Sequence, residues 1–152
     1  MKRNDFLILL VLLGLTLPQT GALAQPYEHA IGIRAGYGSG ITYKGFARHR
    51  LSALEVNALY HEHGFGASGL FVHHVEPTRK DRWLIGLGAG PLVGNWEGDL
   101  SLGLTAVAGL YYEVLRLPLE FGLDWRPMLN AYRQFDTEFL DFGFVIRYSF
   151  RL

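Results

Sequence analysis

The feature that most constrains this chain is a period of two. Residues 141–152 put Phe142, Phe144, Ile146, Tyr148 and Phe150 on one parity and Asp141, Gly143, Val145, Arg147, Ser149 and Arg151 on the other. Successive side chains of a β-strand point to opposite faces, so this stretch reads as a strand with an aromatic face and a polar or small face. The alternation recurs upstream. In 30–37, Ile31, Ile33, Ala35 and Tyr37 oppose Gly32, Arg34 and Gly36; after a Gly38-Ser39-Gly40 turn, Ile41 and Tyr43 oppose Thr42 and Lys44. In 52–61, Leu54, Val56, Ala58 and Tyr60 oppose Ala53, Glu55 and Asn57. The next segment, 65–75, is less regular, with Leu70 and Val72 opposite Gly69, Phe71 and His73. Trp83, Ile85, Leu87 and Ala89 then oppose Leu84, Gly86, Gly88 and Gly90, and six even-numbered apolar residues from Leu100 to Leu110 lead to Tyr112. Last before the C-terminal segment, Leu119, Phe121, Leu123 and Trp125 oppose Glu120, Gly122, Asp124 and Arg126.

The eight segments are separated by turn chemistry. Residues 76–81 form a polar turn around Pro77, 91–99 hold Pro91, Gly94, Asn95 and Gly98 and read as a loop, and a further loop spans 127–137. The expected outward loops are 38–40, 61–65, 91–99 and 128–137. Interior glycines in 100–112 argue against a buried helix there, since glycine is a poor helix former. No stretch after residue 25 approaches the 18 consecutive apolar residues of a helical span.

Composition narrows the partners. A length of 152 residues suits one domain, and 19 glycines with 14% aromatics suit β structure more than a helix bundle. Net charge is zero, so there is no electrostatic case for nucleic acid. The absence of cysteine excludes disulfides, thiolate metal sites and cysteine nucleophiles.

The N-terminus carries an export signature: Lys2 and Arg3, a twelve-residue apolar run over 6–17, then Ala22-Leu23-Ala24 in the small-x-small pattern of a cleavage site. Residues 1–24 therefore read as a signal peptide and 25–152 as the exported domain. An uncleaved anchor is the weaker reading, because twelve helical residues rise only about 18 Å against a hydrocarbon core of roughly 30 Å. Losing Lys2, Arg3 and Asp5 leaves 12 basic and 13 acidic residues, so the exported domain is nearly neutral.

Eight strands of this length suit an antiparallel up-and-down β-barrel, and two environments compete for it. In water the apolar parity points inward; in a membrane it meets lipid and the polar parity fills the interior. Three features favour the membrane. Aromatics lie near the strand ends of the apolar parity, at Tyr37, Tyr60, Trp83, Tyr112, Trp125 and Phe150. The opposite parity mixes glycine with charges of both signs, Lys44 among them, and a barrel of eight strands needs small residues beside bulky ones inside. Backbone polar groups in hydrocarbon must all be paired, which only a closed sheet achieves. The expected interior charge network is Arg34, Glu55, Glu120, Asp124, Arg126, Asp141 and Arg147, with opposite charges between Arg34 and Arg147.

With a leader, eight alternating segments and this ending, the chain resembles the small outer-membrane β-barrels of Gram-negative bacteria. Gly143, Ile146, Tyr148 and Phe150 look like the C-terminal signal read by the outer-membrane assembly machinery, although Arg151 and Leu152 follow the aromatic that normally comes last. Residues 84–96 and 117–127 are similar to a barrel family common in Bacteroidetes whose members mostly lack an assigned activity. The resemblance implies outer-membrane lipid and the assembly machinery as partners.

Candidate chemistry is sparse. His61-Glu62-His63 on an expected outer loop offers half a metal site, and a solvated loop is the plainer account, so no metal and no cofactor are expected. His73 and His74 point to opposite faces and read as interfacial histidines. Some barrels of this size are lipid-modifying enzymes, but none of Ser39, Ser52, Ser68, Ser101 and Ser149 lies in a Gly-x-Ser-x-Gly elbow or beside a histidine in sequence; Ser68 with His61 or His73 is the nearest option. Gly86-x-Gly88-x-Gly90 lacks the following helix of a dinucleotide site. The reading is a non-enzymatic envelope protein with a structural or surface-interaction role, carried by loops around His61, Trp96 and Tyr132. The alternatives are a lipid-modifying enzyme, a narrow pore and a secreted lipocalin-like barrel.

Overall fold

A computed structural model describes residues 28–47, 51–62, 64–77, 82–114, 116–131 and 136–151. The expected leader over 1–24 lies outside the described residues. Ten strands are present: β1 His29–Gly36, β2 Ser39–Phe46, β3 Ser52–His61, β4 Gly64–Val75, β5 Trp83–Trp96, β6 Asp99–Glu113, β7 Leu119–Trp125, β8 Met128–Asn130, β9 Asp136–Glu138 and β10 Phe142–Phe150. All pairings are antiparallel, and no helix occurs among the described residues.

The ten strands make eight staves. β6 pairs with β7 at Ala108↔Trp125 and, in unchanged register, with β8 at Thr105↔Met128. Pro127 interrupts this stave because it has no N–H to give the ladder, yet its carbonyl still accepts from the Ala106 N–H at 3.0 Å. β9 and β10 likewise form one stave, with β9 on β8 and β10 on β7. Residues 139–141 stand there opposite only 126–127, which is a β-bulge. The extra residue leaves Phe139 and Leu140 both exposed and turns Asp141 inward. β1 closes the sheet on β10 from His29↔Phe150 to Gly36↔Gly143, so the barrel is closed and has eight strands.

Two expected loops are mostly strand among their described residues. Residues 91–96 continue β5, and only Glu97 and Gly98 turn the chain, at φ 53° and 90°. Positive φ at both positions is the geometry of a two-residue hairpin whose twist matches its strands. Pro91 misleads as a loop signal: it faces Leu104 and is tolerated within the long β5–β6 hairpin. In 127–137, β8 and β9 take up five of the seven described residues.

The wall is inverted relative to a soluble barrel. Ile33 is 60% exposed, Leu104 60% and Tyr60 66%, whereas Arg34, Lys44, Glu55, Glu120 and Arg147 are buried. Leu70, Val72 and Val107 are the buried apolar cluster inside. In β4, Leu70 and Val72 therefore share the inner face with His74, and Phe65 and Phe71 are the outward residues. Every Asp, Glu, Lys and Arg among the described residues is either buried within a stave or sits at a strand end or in a turn.

Candidate functional site: the charged interior

Alternation aims one parity of each stave at the axis, so residues distant in sequence meet inside. The structure places Arg34, Glu55, Glu120, Asp124, Arg126, Asp141 and Arg147 in the interior, all buried. Their contacts run as a chain from the β1–β2 turn to the end that holds His29 and Phe150. Arg34 donates from Nε to Asp124 Oδ1 at 2.8 Å, its Nη1 lies 2.9 Å from Asp141 Oδ1, and it also bonds the Gly38 carbonyl. The Gly38 N–H donates to the same Asp141 oxygen at 3.2 Å. Gly143, opposite Gly36, makes this possible: a Cβ there would lie 2.5 Å from Arg34 Cζ.

Asp124 then passes to Arg126, which donates from Nε and Nη2 at 2.9 and 2.8 Å. Arg126 Nη2 also reaches Glu55 Oε1 at 2.6 Å. Arg147 lies between two acids, with Nη2 3.0 Å from Glu55 Oε2 and Nη1 donating to Glu120 Oε1 at 2.5 Å, and Thr42 Oγ1 accepts from its Nε and Nη2. Arg34 and Arg147 are thus separated by Asp124, Arg126 and Glu55, which offsets the repulsion of two like charges on adjoining strands.

The far end belongs to residues outside the expected set. Lys44 is fully buried, donates to both Glu120 oxygens at 3.2 and 3.4 Å, and lies 3.3 Å from His74 Nε2. Its Nζ sits 4.0 Å above the Tyr111 ring. Three glycines make room for that ring: a Cβ at Gly86, Gly109 or Gly122 would approach it within 2.9 Å, 2.6 Å and 2.3 Å. With Lys44 included, four cations face four carboxylates among the described residues.

Three expectations need correction. His61 is not on a loop; it is the last residue of β3, it is 2% exposed, and it shares the inner parity of Glu55 and Asn57. Carrying the parity of Ala53, Glu55 and Asn57 on through Leu59 to the end of the segment would have found it. It packs against Tyr37 and Trp96, with Nε2 3.7 Å from Asp141 Oδ2. Glu62 is exposed, His63 lies outside the described residues, and no group of three metal-ligating side chains occurs among the described residues. His74 is not interfacial but buried against Phe46 and Tyr111. Ser52 does have a histidine partner: on the outer face its Oγ lies 3.2 Å from His73 Nδ1, across the β3–β4 ladder. Ser68 instead accepts from Asn57 Nδ2 at 3.4 Å, inside.

Of the residues expected to form a C-terminal signal, Gly143 faces inward and Ile146, Tyr148 and Phe150 face outward. Trp96 turns inward at the end of β5, over a slot left by Gly66 and Gly94, and Tyr132 lies outside the described residues. The interior leaves little free volume: a cavity of about 10 Å3 near His61 is the space among these groups. Among family models, curated proteins and solved structures, no match to this chain is found.

Proposed function

We propose that the chain is an outer-membrane β-barrel of a Gram-negative cell, exported through a cleaved leader, with a structural or surface-interaction role and no catalytic one. The observation that carries this reading is the distribution of charge. Between the strand ends the outer wall bears no charged side chain among the described residues, while eight charged groups are folded inside. Soluble monomers rarely expose contiguous apolar patches beyond a few hundred Å2, and this wall is apolar on every stave. Aromatics line both margins: Trp83 against Tyr112 and His29 against Phe150 at one end, Trp125 against Phe142 at the other, as girdles at two interfaces would. A secreted lipocalin-like barrel would need the opposite parity.

The interior argues for a core and against a pore. Burying one unpaired charge costs several kcal/mol, and here each cation has an acid within ion-pair distance. Arginines interrupt the chain at Arg34, Arg126 and Arg147, and arginine does not give up its proton, so the network is not a proton relay. Outer-membrane lipid and the assembly machinery are the partners of this reading. Cell fractionation tests it: the protein is expected in the outer-membrane fraction, and release into the medium sinks it. Planar bilayers containing the purified barrel are expected to show no steady conductance.

One observation favours a second reading. A serine and a histidine side by side on the outer wall are two parts of an acyl-transfer site, and Ser52 and His73 fill those parts. No carboxylate is bonded to His73 among the described residues, so the third part is not in place. Fatty-acid release from phospholipid by the purified barrel, lost in Ser52→Ala, would favour the enzyme over the structural role.

A further inference from the structure

The chain of ion pairs ends beside the small cavity, and the groups that face it are incompletely bonded. His61, Arg126 and Asp141 line it together with the apolar Leu59, Leu92 and Met128. All three polar residues are at least 98% buried. Both His61 ring nitrogens, Nη1 of Arg126 and Oδ2 of Asp141 have no hydrogen-bond partner. The reason is the network itself. Arg126 commits Nε and Nη2 to Asp124 and Glu55, and Asp141 commits Oδ1 to Arg34 and the Gly38 N–H. His61 Nε2 and Asp141 Oδ2 are 3.7 Å apart, too far for a direct hydrogen bond and a distance at which a bridging molecule is the natural question.

We propose that this cavity is a binding site for one water molecule, held by His61, Arg126 and Asp141. A cavity of about 10 Å3 gives room for the centre of one water and little more. The donor set selects the ligand. Arg126 Nη1 offers a proton and needs an acceptor; Asp141 Oδ2 is an acceptor and needs a donor. Chloride would accept from Arg126 but oppose the Asp141 carboxylate, and a cation would do the reverse. Water does both and keeps a third bond for the His61 ring, which reaches the two to four polar partners that buried waters have. The other polar groups on the wall are engaged elsewhere: Ser68 with Asn57, and Thr105 with the Pro127 carbonyl at 3.2 Å. Bound there, the water joins His61 to the ion-pair chain, so that the hydrogen bonding runs unbroken from His61 to His74.

Solution NMR of the full chain, refolded in deuterated detergent with labelled histidine, tests the site with water itself as the probe. Direct cross-relaxation between water and the His61 ring protons is expected, with the sign of a long-lived complex. It should persist in Ser68→Ala, which removes an exchangeable hydroxyl from the cavity wall, and vanish in Leu92→Phe, which fills the apolar wall, while the amide pattern of the barrel is retained. The unsubstituted chain decides the matter even if Leu92→Phe does not refold. A His61 ring without cross-relaxation to water, loss of the signal in Ser68→Ala, or His61 shifts when chloride replaces a bulky anion would each overturn the proposal.

Discussion

At the scale of single residues, the interior is a set of charges whose worth lies in being paired. Arg147 shows the logic. It is fully buried between Glu55 and Glu120 and is anchored by Thr42, so removing it leaves two carboxylates short of a cation. Breaking one partner out of a buried ion pair costs about 3–5 kcal/mol. Arg147→Met is therefore expected to destabilise the barrel by that amount, read from urea-induced unfolding followed by tryptophan fluorescence. A loss below about 1 kcal/mol would mean that water reaches the pair and the interior is not dry. Tyr37, in the turn after β1, tests the opposite rim. Partial burial, then the carboxylates of Glu138 and Glu62, raise its phenol above the ordinary tyrosine value. Each disfavours the phenolate, so Glu138→Gln is expected to lower the Tyr37 midpoint in an absorbance titration, taken as the difference from Tyr37→Phe.

At the scale of elements, the long β5–β6 hairpin is set by its two-residue turn. Trp96 pairs with Asp99, and Glu97 and Gly98 take positive φ between them. Glycine adopts that region freely; glutamate does so at a cost, and asparagine at a smaller one. Glu97→Asn is expected to raise stability by about 0.5–1 kcal/mol, measured by the same unfolding transition, and no gain would mean that the turn relaxes around Glu97. The bulge at 139–141 is the second element-scale device. Without the extra residue, the parity of β10 would continue into β9 unchanged; with it, Phe139 and Leu140 both face out while Asp141 meets Arg34.

At the scale of the whole molecule, the question is which solvent touches the outer wall, and a charge placed there asks it directly. Ile33 lies mid-strand and 60% exposed, away from both aromatic margins. Ile33→Arg is expected to cost about 2–4 kcal/mol in lipid vesicles, whereas in water an exposed Ile to Arg change would be nearly neutral. Most of the architecture was legible in the order of residues. Alternation with a period of two assigns side chains to faces without knowledge of any partner, which is why eight staves, the apolar exterior and seven of the buried charges could be read from the chain. Where the reading stopped short, tertiary structure had decided. Pro91 continues a strand because its pairing with Leu104 on β6 holds while the β4 ladder leaves out Gly90 and Pro91, His61 turns inward because β3 keeps its alternation to its last residue, and Lys44 is buried because Glu120, 76 residues away, receives it. Face is a local property of a strand and is written in its sequence. Which charge meets which across the axis depends on register and closure, and those exist only once the first strand has found the last.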